Sequence, residues 1–185
     1  TAIEDGAIES AYQLSFVEFP STLKTIGNRA FYNYRGGKLM LPEGLERIGD
    51  EAFYRCAVRG TLVLPEGLKE IGDSAFACSI FMHTLDLPST LETIGEHAFE
   101  DVSLSYVYMD GLTPPKVAKT AFAECTSLAD IELNEYCTKQ QMLDLQAIID
   151  EAGLNCRVWR YENTQTSMAK GASYIYNPNN SDEVY

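Results

Sequence analysis

From Leu62 to Phe76 the chain reads LVLPEGLKEIGDSAF, and the positions suited to a core are 62, 64, 68, 71, 75 and 76. The opening alternates with period two, which predicts a short strand with Leu62 and Leu64 turned inward and Val63 outward. Pro65 ends that strand, because proline has no N–H to give to a ladder. Pro65-Glu66-Gly67 has the chemistry of a type I turn, with proline at its second position and glycine at its fourth. Leu68 and Ile71 then return to the core. Gly72 allows either a positive φ or a close backbone approach. Asp73 is placed to cap a short helical turn that carries Ala75 and Phe76 inward.

The same phrase recurs. IGNRAF begins at Ile26, IGDEAF at Ile48, IGDSAF at Ile71 and IGEHAF at Ile94, with looser copies IEDGAI from Ile3 and VAKTAF from Val117. Aligned on their last residues these copies give Ile8, Phe31, Phe53, Phe76, Phe99 and Phe122, spaced by 23, 22, 23, 23 and 23. A fixed period of this length is the mark of a solenoid. The few apolar side chains of one unit cannot offset the entropy of ordering its backbone, so each unit needs its neighbours. Stacking is expected to align the segments of Val17, Leu39, Leu62, Leu85, Val107 and Ile131 in one parallel ladder and the phenylalanines in a continuous spine.

The recurring pattern L-x-L-P-x-x-L-x-x-I-G-x-x-A-F-x-x-C resembles that of the BspA-type leucine-rich repeat family, found mainly in bacterial surface proteins. The resemblance covers residues 3 to about 133, with the glycine, the Ala-Phe pair and the proline at fixed offsets in four consecutive copies. It implies a leucine-rich-repeat solenoid, a right-handed coil with a parallel β ladder and short helical turns. Around MDGLTPPKVAKTAF the chain departs from it: Asp110 takes the proline slot, one residue is inserted and Ala118 replaces the glycine. A distorted turn is expected there, and after Leu133 the pattern stops.

Met142, Leu145, Ile149 and Ala152 are spaced for one face of a helix over residues 138–152, with Thr138 and Gln141 as a capping box and Gly153 as a stop. CRVWRY, from Cys156 to Tyr161, reads as a final strand. The chain therefore divides into repeats over 1–137, the first copy partial, a helix-strand cap over 138–161 of the kind a solenoid end needs, and a polar tail over 162–185. It opens in the middle of a unit.

Charge narrows the set of partners. The 185 residues carry a formal charge of -13, a surface that repels phosphate backbones and anionic lipid, so nucleic acid is not an expected partner. No stretch approaches the roughly 20 consecutive apolar residues of a membrane span. Of the five cysteines, Cys56, Cys78 and Cys125 fall two or three residues after a repeat phenylalanine and read as small core residues. Cys137 and Cys156 flank the helix and form a candidate disulfide pair. There is no C-x-x-C spacing for a metal, and no cofactor fingerprint. The two histidines, His83 and His97, belong to no catalytic pattern. Asp50, Asp73 and Glu96 recur at one slot, which points to a scaffold role such as capping, with a calcium column as the weaker alternative. No catalytic residue is assigned.

The outward positions of the ladder are left as the surface of interest: Phe16, Glu18, Lys38, Met40, Thr61, Val63, Thr84, Asp86, Tyr106, Tyr108, Asp130 and Glu132. Phe16, Met40, Val63, Tyr106 and Tyr108 are the candidate ligand-binding residues, since apolar area and amphipathic tyrosines anchor contacts on a rigid open surface. Strand propensity by itself also favours Val, Thr and Tyr there. Tyr32, Tyr34 and Tyr54 form a second cluster after the phenylalanines. The absence of a reactive constellation points to a non-enzymatic binding module. A secreted or cell-surface location and an adhesive role, with a protein ligand, are what the family resemblance implies. The alternatives are carbohydrate recognition, with sugar rings stacked on the tyrosines, and a structural spacer between other domains.

Overall fold

A computed structural model describes residues 1–11, 14, 16–36, 38–57, 63–80 and 83–160, without the side chains of Phe16 and Lys38. Thr61, Leu62, Tyr161 and the polar tail lie outside the described residues. The chain runs β1 (Ala2–Ile3), β2 (Phe16–Val17), β3 (Thr25–Ile26), β4 (Lys38–Leu39), β5 (Arg47–Ile48) and β6 (Glu70–Ile71). It continues through β7 (Thr84–Leu87), β8 (Thr93–Ile94), β9 (Tyr106–Met109), β10 (Lys116–Val117) and β11 (Asp130–Leu133), then helix α1 (Lys139–Glu151) and β12 (Arg157–Arg160).

The expected ladder is present in two described stretches. Strands β2 and β4 pair in parallel with Val17 opposite Leu39. Strands β7, β9 and β11 pair in parallel with Leu85, Val107 and Ile131 in register, and β12 extends this sheet with Val158 beside Ile131. A second ladder was not anticipated. The two residues before the glycine slot of each copy, filled by Glu4 in the first and Ala118 in the last, form a six-stranded parallel sheet, ordered β1-β3-β5-β6-β8-β10, in which Ile3, Ile26, Ile48, Ile71, Ile94 and Val117 stand in one line. Each coil therefore touches the next along two strand tracks, and a third line of bridges joins Arg35, Ala57 and Ile80.

Between the tracks runs the aromatic spine. Phe31, Phe53, Phe76, Phe99 and Phe122 are all buried, and successive rings stack with centroids 5.1, 5.2, 5.4 and 5.5 Å apart and planes within 9° of parallel. Phe19 closes edge-on against Phe31 at 5.7 Å.

The segment after each glycine bonds outward as well as inward. Arg29, Phe31 and Asn33 donate their N–H groups to Asp50, Ala52 and Tyr54 of the next coil at 2.8, 2.7 and 2.7 Å, while Tyr32 and Tyr34 donate three residues back to Arg29 and Phe31. To aim alternate N–H groups sideways the backbone enters the left-handed region, with φ of 52–57° at Arg29, Glu51, Ser74 and His97. The aspartate slot follows suit. Instead of capping its own turn, Asp50 Oδ1 accepts Asp73 N at 3.0 Å and Asp73 Oδ1 accepts Glu96 N at 2.8 Å, and Asp5 and Asn28 do the same for their successors.

This column explains the glycines. Gly72 has no positive φ, but a Cβ on it would stand 2.8 Å from Asp50 N, and Gly27, Gly49 and Gly95 meet the preceding coil in the same way. Ala118 is admitted where the preceding coil carries Glu96 in place of Asp or Asn and one residue has been inserted. Helix α1 then closes the stack. Thr138 and Gln141 make the expected capping box, and Met142, Leu145 and Ile149 join the core. Gln146 anchors the helix to the last strand, donating to Cys156 O at 3.0 Å and accepting Val158 N at 2.7 Å.

Candidate functional site

The inward register of Leu85, Val107, Ile131 and Val158 fixes which side chains leave the four-stranded sheet on its other face. One row across the strands reads Thr84, Tyr106, Asp130 and Arg157, and the next reads Asp86, Tyr108, Glu132 and Trp159. Neighbours within a row lie on strands about 4.8 Å apart.

Both tyrosines are half-buried and held by carboxylates. Tyr106 donates its hydroxyl to Glu132 Oε2, across the strand pair. Burial first, and then this hydrogen bond, raise the Tyr106 phenol above its ordinary value. Tyr108 donates to Asp110 Oδ1 at 3.1 Å, and it too is raised by burial and then by that bond. Arg157 clasps Asp130 Oδ1 through Nε at 2.7 Å and through its terminal nitrogen at 2.5 Å. The result is a face of fixed aromatic rings interleaved with carboxylates, with Asp86 and Arg157 exposed at its borders.

Of the expected site residues, the structure brings Tyr106 and Tyr108 together. Met40, 59% exposed, follows β4 in the two-stranded sheet, and Val63, 70% exposed, lies outside any described strand. Phe16 occupies β2, and its side chain is outside what is described. Trp159 was missed. Its signal was nonetheless present, because an inward Val158 in CRVWRY turns Trp159 outward beside Glu132.

The second tyrosine cluster separates. Tyr32 and Tyr54 stack at 5.1 Å with the Arg29 guanidinium 3.9 Å above Tyr32, whereas Tyr34 is buried and donates its hydroxyl to Leu14 O at 3.1 Å. Arg29 also bridges Glu9 and Glu51 of the adjoining coils, each at 2.7 Å.

The thiols are structural. All five cysteines are free, so the candidate pair Cys137 and Cys156 is not bridged, and both of these thiols are buried. Cys56 and Cys125 point their Sγ at Phe31 O and Phe99 O of the preceding coil, at 3.1 and 3.0 Å. Ser79 fills the same slot and donates to Phe53 O at 2.5 Å. Burial pushes Cys56 and Cys156 up to about 12 and Cys125 up to about 11, the reverse of what a nucleophile requires. His97 sits beside Glu100, with Nδ1 3.3 Å from its carboxylate. Asp50 and Asp73 are engaged with main-chain N–H groups, which accounts for their recurrence.

Among the described residues no helix is long and apolar enough to cross a membrane. No curated protein matches the chain at a significant level. A crystal structure of a leucine-rich repeat protein from Bacteroides ovatus matches with a TM-score of 0.56 at 21% identity over 88% of this chain, a likeness of fold. This chain spans 41% of the length of that protein. The pattern of the BspA type leucine rich repeat region fits residues 1–128 in 6 copies. With those copies stacked coil on coil around one phenylalanine spine, the chain belongs to the BspA-type leucine-rich repeat family.

Proposed function

We propose that this chain is a non-enzymatic protein-binding module of a secreted or cell-surface bacterial protein, which contacts its partner through the outward face of the strand ladder. Repeats of this family are commonly surface protein-binding modules and typically non-catalytic. The observation that carries the reading is the patch of Tyr106, Tyr108 and Trp159 set among Asp86, Asp130 and Glu132 on four hydrogen-bonded strands. Rings fixed by hydroxyl-carboxylate bonds lose little freedom on binding, which is what makes tyrosine and tryptophan effective anchors. Adhesion to a host protein, a matrix component or a neighbouring cell is the corresponding role.

The test is affinity for a ligand identified by pull-down from host extracellular matrix. Tyr106→Ala combined with Tyr108→Ala is expected to weaken binding at least tenfold with the fold retained. Unchanged affinity removes the ladder face from the proposal. A glycan array separates the protein ligand from a carbohydrate one, for which the same rings would stack on sugars.

A further inference from the structure

Every coil but the last hands its open strand edge to a successor. Lys69 O accepts Glu92 N and Thr93 N at 2.9 and 3.1 Å, and Ile71 O accepts Gly95 N at 2.9 Å. One coil later Glu92 O accepts Lys116 N at 2.8 Å and Ile94 O accepts Ala118 N at 3.0 Å. At β10 the succession stops: the corresponding acceptors, Pro115 O and Val117 O, meet no backbone donor among the described residues.

The place of the next coil is taken by α1. A helix covers the apolar end of the stack with Leu145 and Ile149, but past its first turn its N–H groups are already bonded within it, so it cannot pair a strand edge. The mismatch leaves a groove of about 740 Å³, with Pro114, Pro115, Val117 and Ala118 on one wall and Leu145 and Ile148 on the other. That volume is ample for a ligand. Lys119 is neutralised by Glu151 at 2.5 Å, so Glu96 and Asp144 outnumber Lys116 among the remaining charges of the lining.

We propose that this groove is a peptide-binding site that takes one extended segment of a partner polypeptide as a parallel strand added to β10. Two N–H groups of that segment, two residues apart, donate to Pro115 O and Val117 O, and the aliphatic residue between them turns toward Leu145. The six-stranded sheet thereby continues across one more position in the register the fold has already used five times. Charge selects the source. Acidic lining favours a segment bearing Lys or Arg, and a formal charge of -13 disfavours a second copy of this chain.

The chain's own segment 24–31, KTIGNRAF, supplies a basic probe of the right pattern, since Gly27 N donates to Ile3 O at 2.9 Å in its native place. Fluorescein-labelled KTIGNRAF peptide, titrated against the full chain by anisotropy, is expected to bind saturably. N-methylation at its glycine is expected to weaken binding at least tenfold, because the N–H donor to the strand edge is lost and a methyl stands in its place. Replacing its Lys and Arg by Glu, and Ile148→Glu in the protein with an unchanged circular dichroism spectrum, are each expected to do the same. The N-methyl comparison stands even where Ile148→Glu fails to fold. No binding, or equal affinity for the N-methylated peptide, overturns the proposal. It is equally overturned by a peptide-dissociable dimer in sedimentation, which assigns the groove to a second copy, or by tighter binding of a peptide of residues 169–178, which assigns it to the chain's own end.

Discussion

Replacing Gly72 by alanine tests the reason for the repeat glycine. The new Cβ would lie 2.8 Å from Asp50 N and closer still to Asp50 Oδ1, and neither neighbour can yield easily, since both belong to the coil-to-coil contact. Forcing a carbon into a packed site costs about 1–3 kcal/mol. Loss of the Asp50–Asp73 bond adds about 1 kcal/mol, and the stiffer unfolded chain returns about 0.4–1 kcal/mol. The net loss is about 1–3.5 kcal/mol. For a chain of this size each kcal/mol moves Tm by about 2–4 °C, so Tm should fall by roughly 2–14 °C. Thermal unfolding followed by circular dichroism gives the number directly. Combining Gly72→Ala with Asp50→Ala should destabilise by about 1 kcal/mol less than the two changes summed, because the side chain that collides with the Cβ is then gone. A fall in Tm below about 2 °C, or strict additivity in that cycle, refutes the close-approach account. Ala118→Gly supplies the contrast: it relieves no clash and should cost only about 0.5–1 kcal/mol through the unfolded state.

Four further outcomes follow from particular side chains. Ser79→Ala removes one of the two donors to Phe53 O and the buried hydroxyl that accepts Cys56 N, and should cost about 1–3 kcal/mol, whereas Ser79→Cys reproduces the Cys56 and Cys125 arrangement and should cost less than half as much in urea unfolding. Iodoacetamide at pH 8 should label half-buried Cys78 before the other four thiols, and denaturation without reductant should then expose all five to the reagent by mass spectrometry; a thiol pair needing reduction would contradict the free assignment. Because Cys56 and Cys156 go from 9.0 to about 12 on burial, the folded state holds protons that the unfolded chain releases; their contribution to stability is complete below pH 9 and is lost as pH climbs toward 12, so Tm should decline over that window. Ser74→Gly removes a side chain from a left-handed backbone at φ 53° and should raise Tm by a few degrees; a lower Tm would show that the conformation is not strained.

Sequence alone revealed the features that every copy repeats. Phe31 through Phe122 could be placed on one spine because the spacing is constant and a large buried ring has no other use at that slot. The six-stranded sheet was hidden for a physical reason: Arg47-Ile48 or Glu70-Ile71 offers two residues, too few for an alternation to register, and the partners lie a whole period away. Asp73 recurs visibly in the sequence, but a capping rule is local and points to its own turn, whereas the acceptor relation joins successive coils. Tyr106 and Tyr108 were legible as outward residues from Val107 alone. Trp159 required knowing that β12 joins the same sheet across an intervening helix, which no local pattern encodes.

The aspartate column also bears on how such an array changes length. Asn28, Asp50 and Asp73 each offer the same oxygen to whatever coil comes after, so each junction is interchangeable with the others. Excising residues 50–72 would bring Asp73 against Asn28 with all donors and acceptors matched, and duplicating that stretch would be equally seamless. Recombination between copies can thus resize the middle of the molecule freely, while the Glu96 and Ala118 junction, built differently, sets a fixed terminus beside the groove.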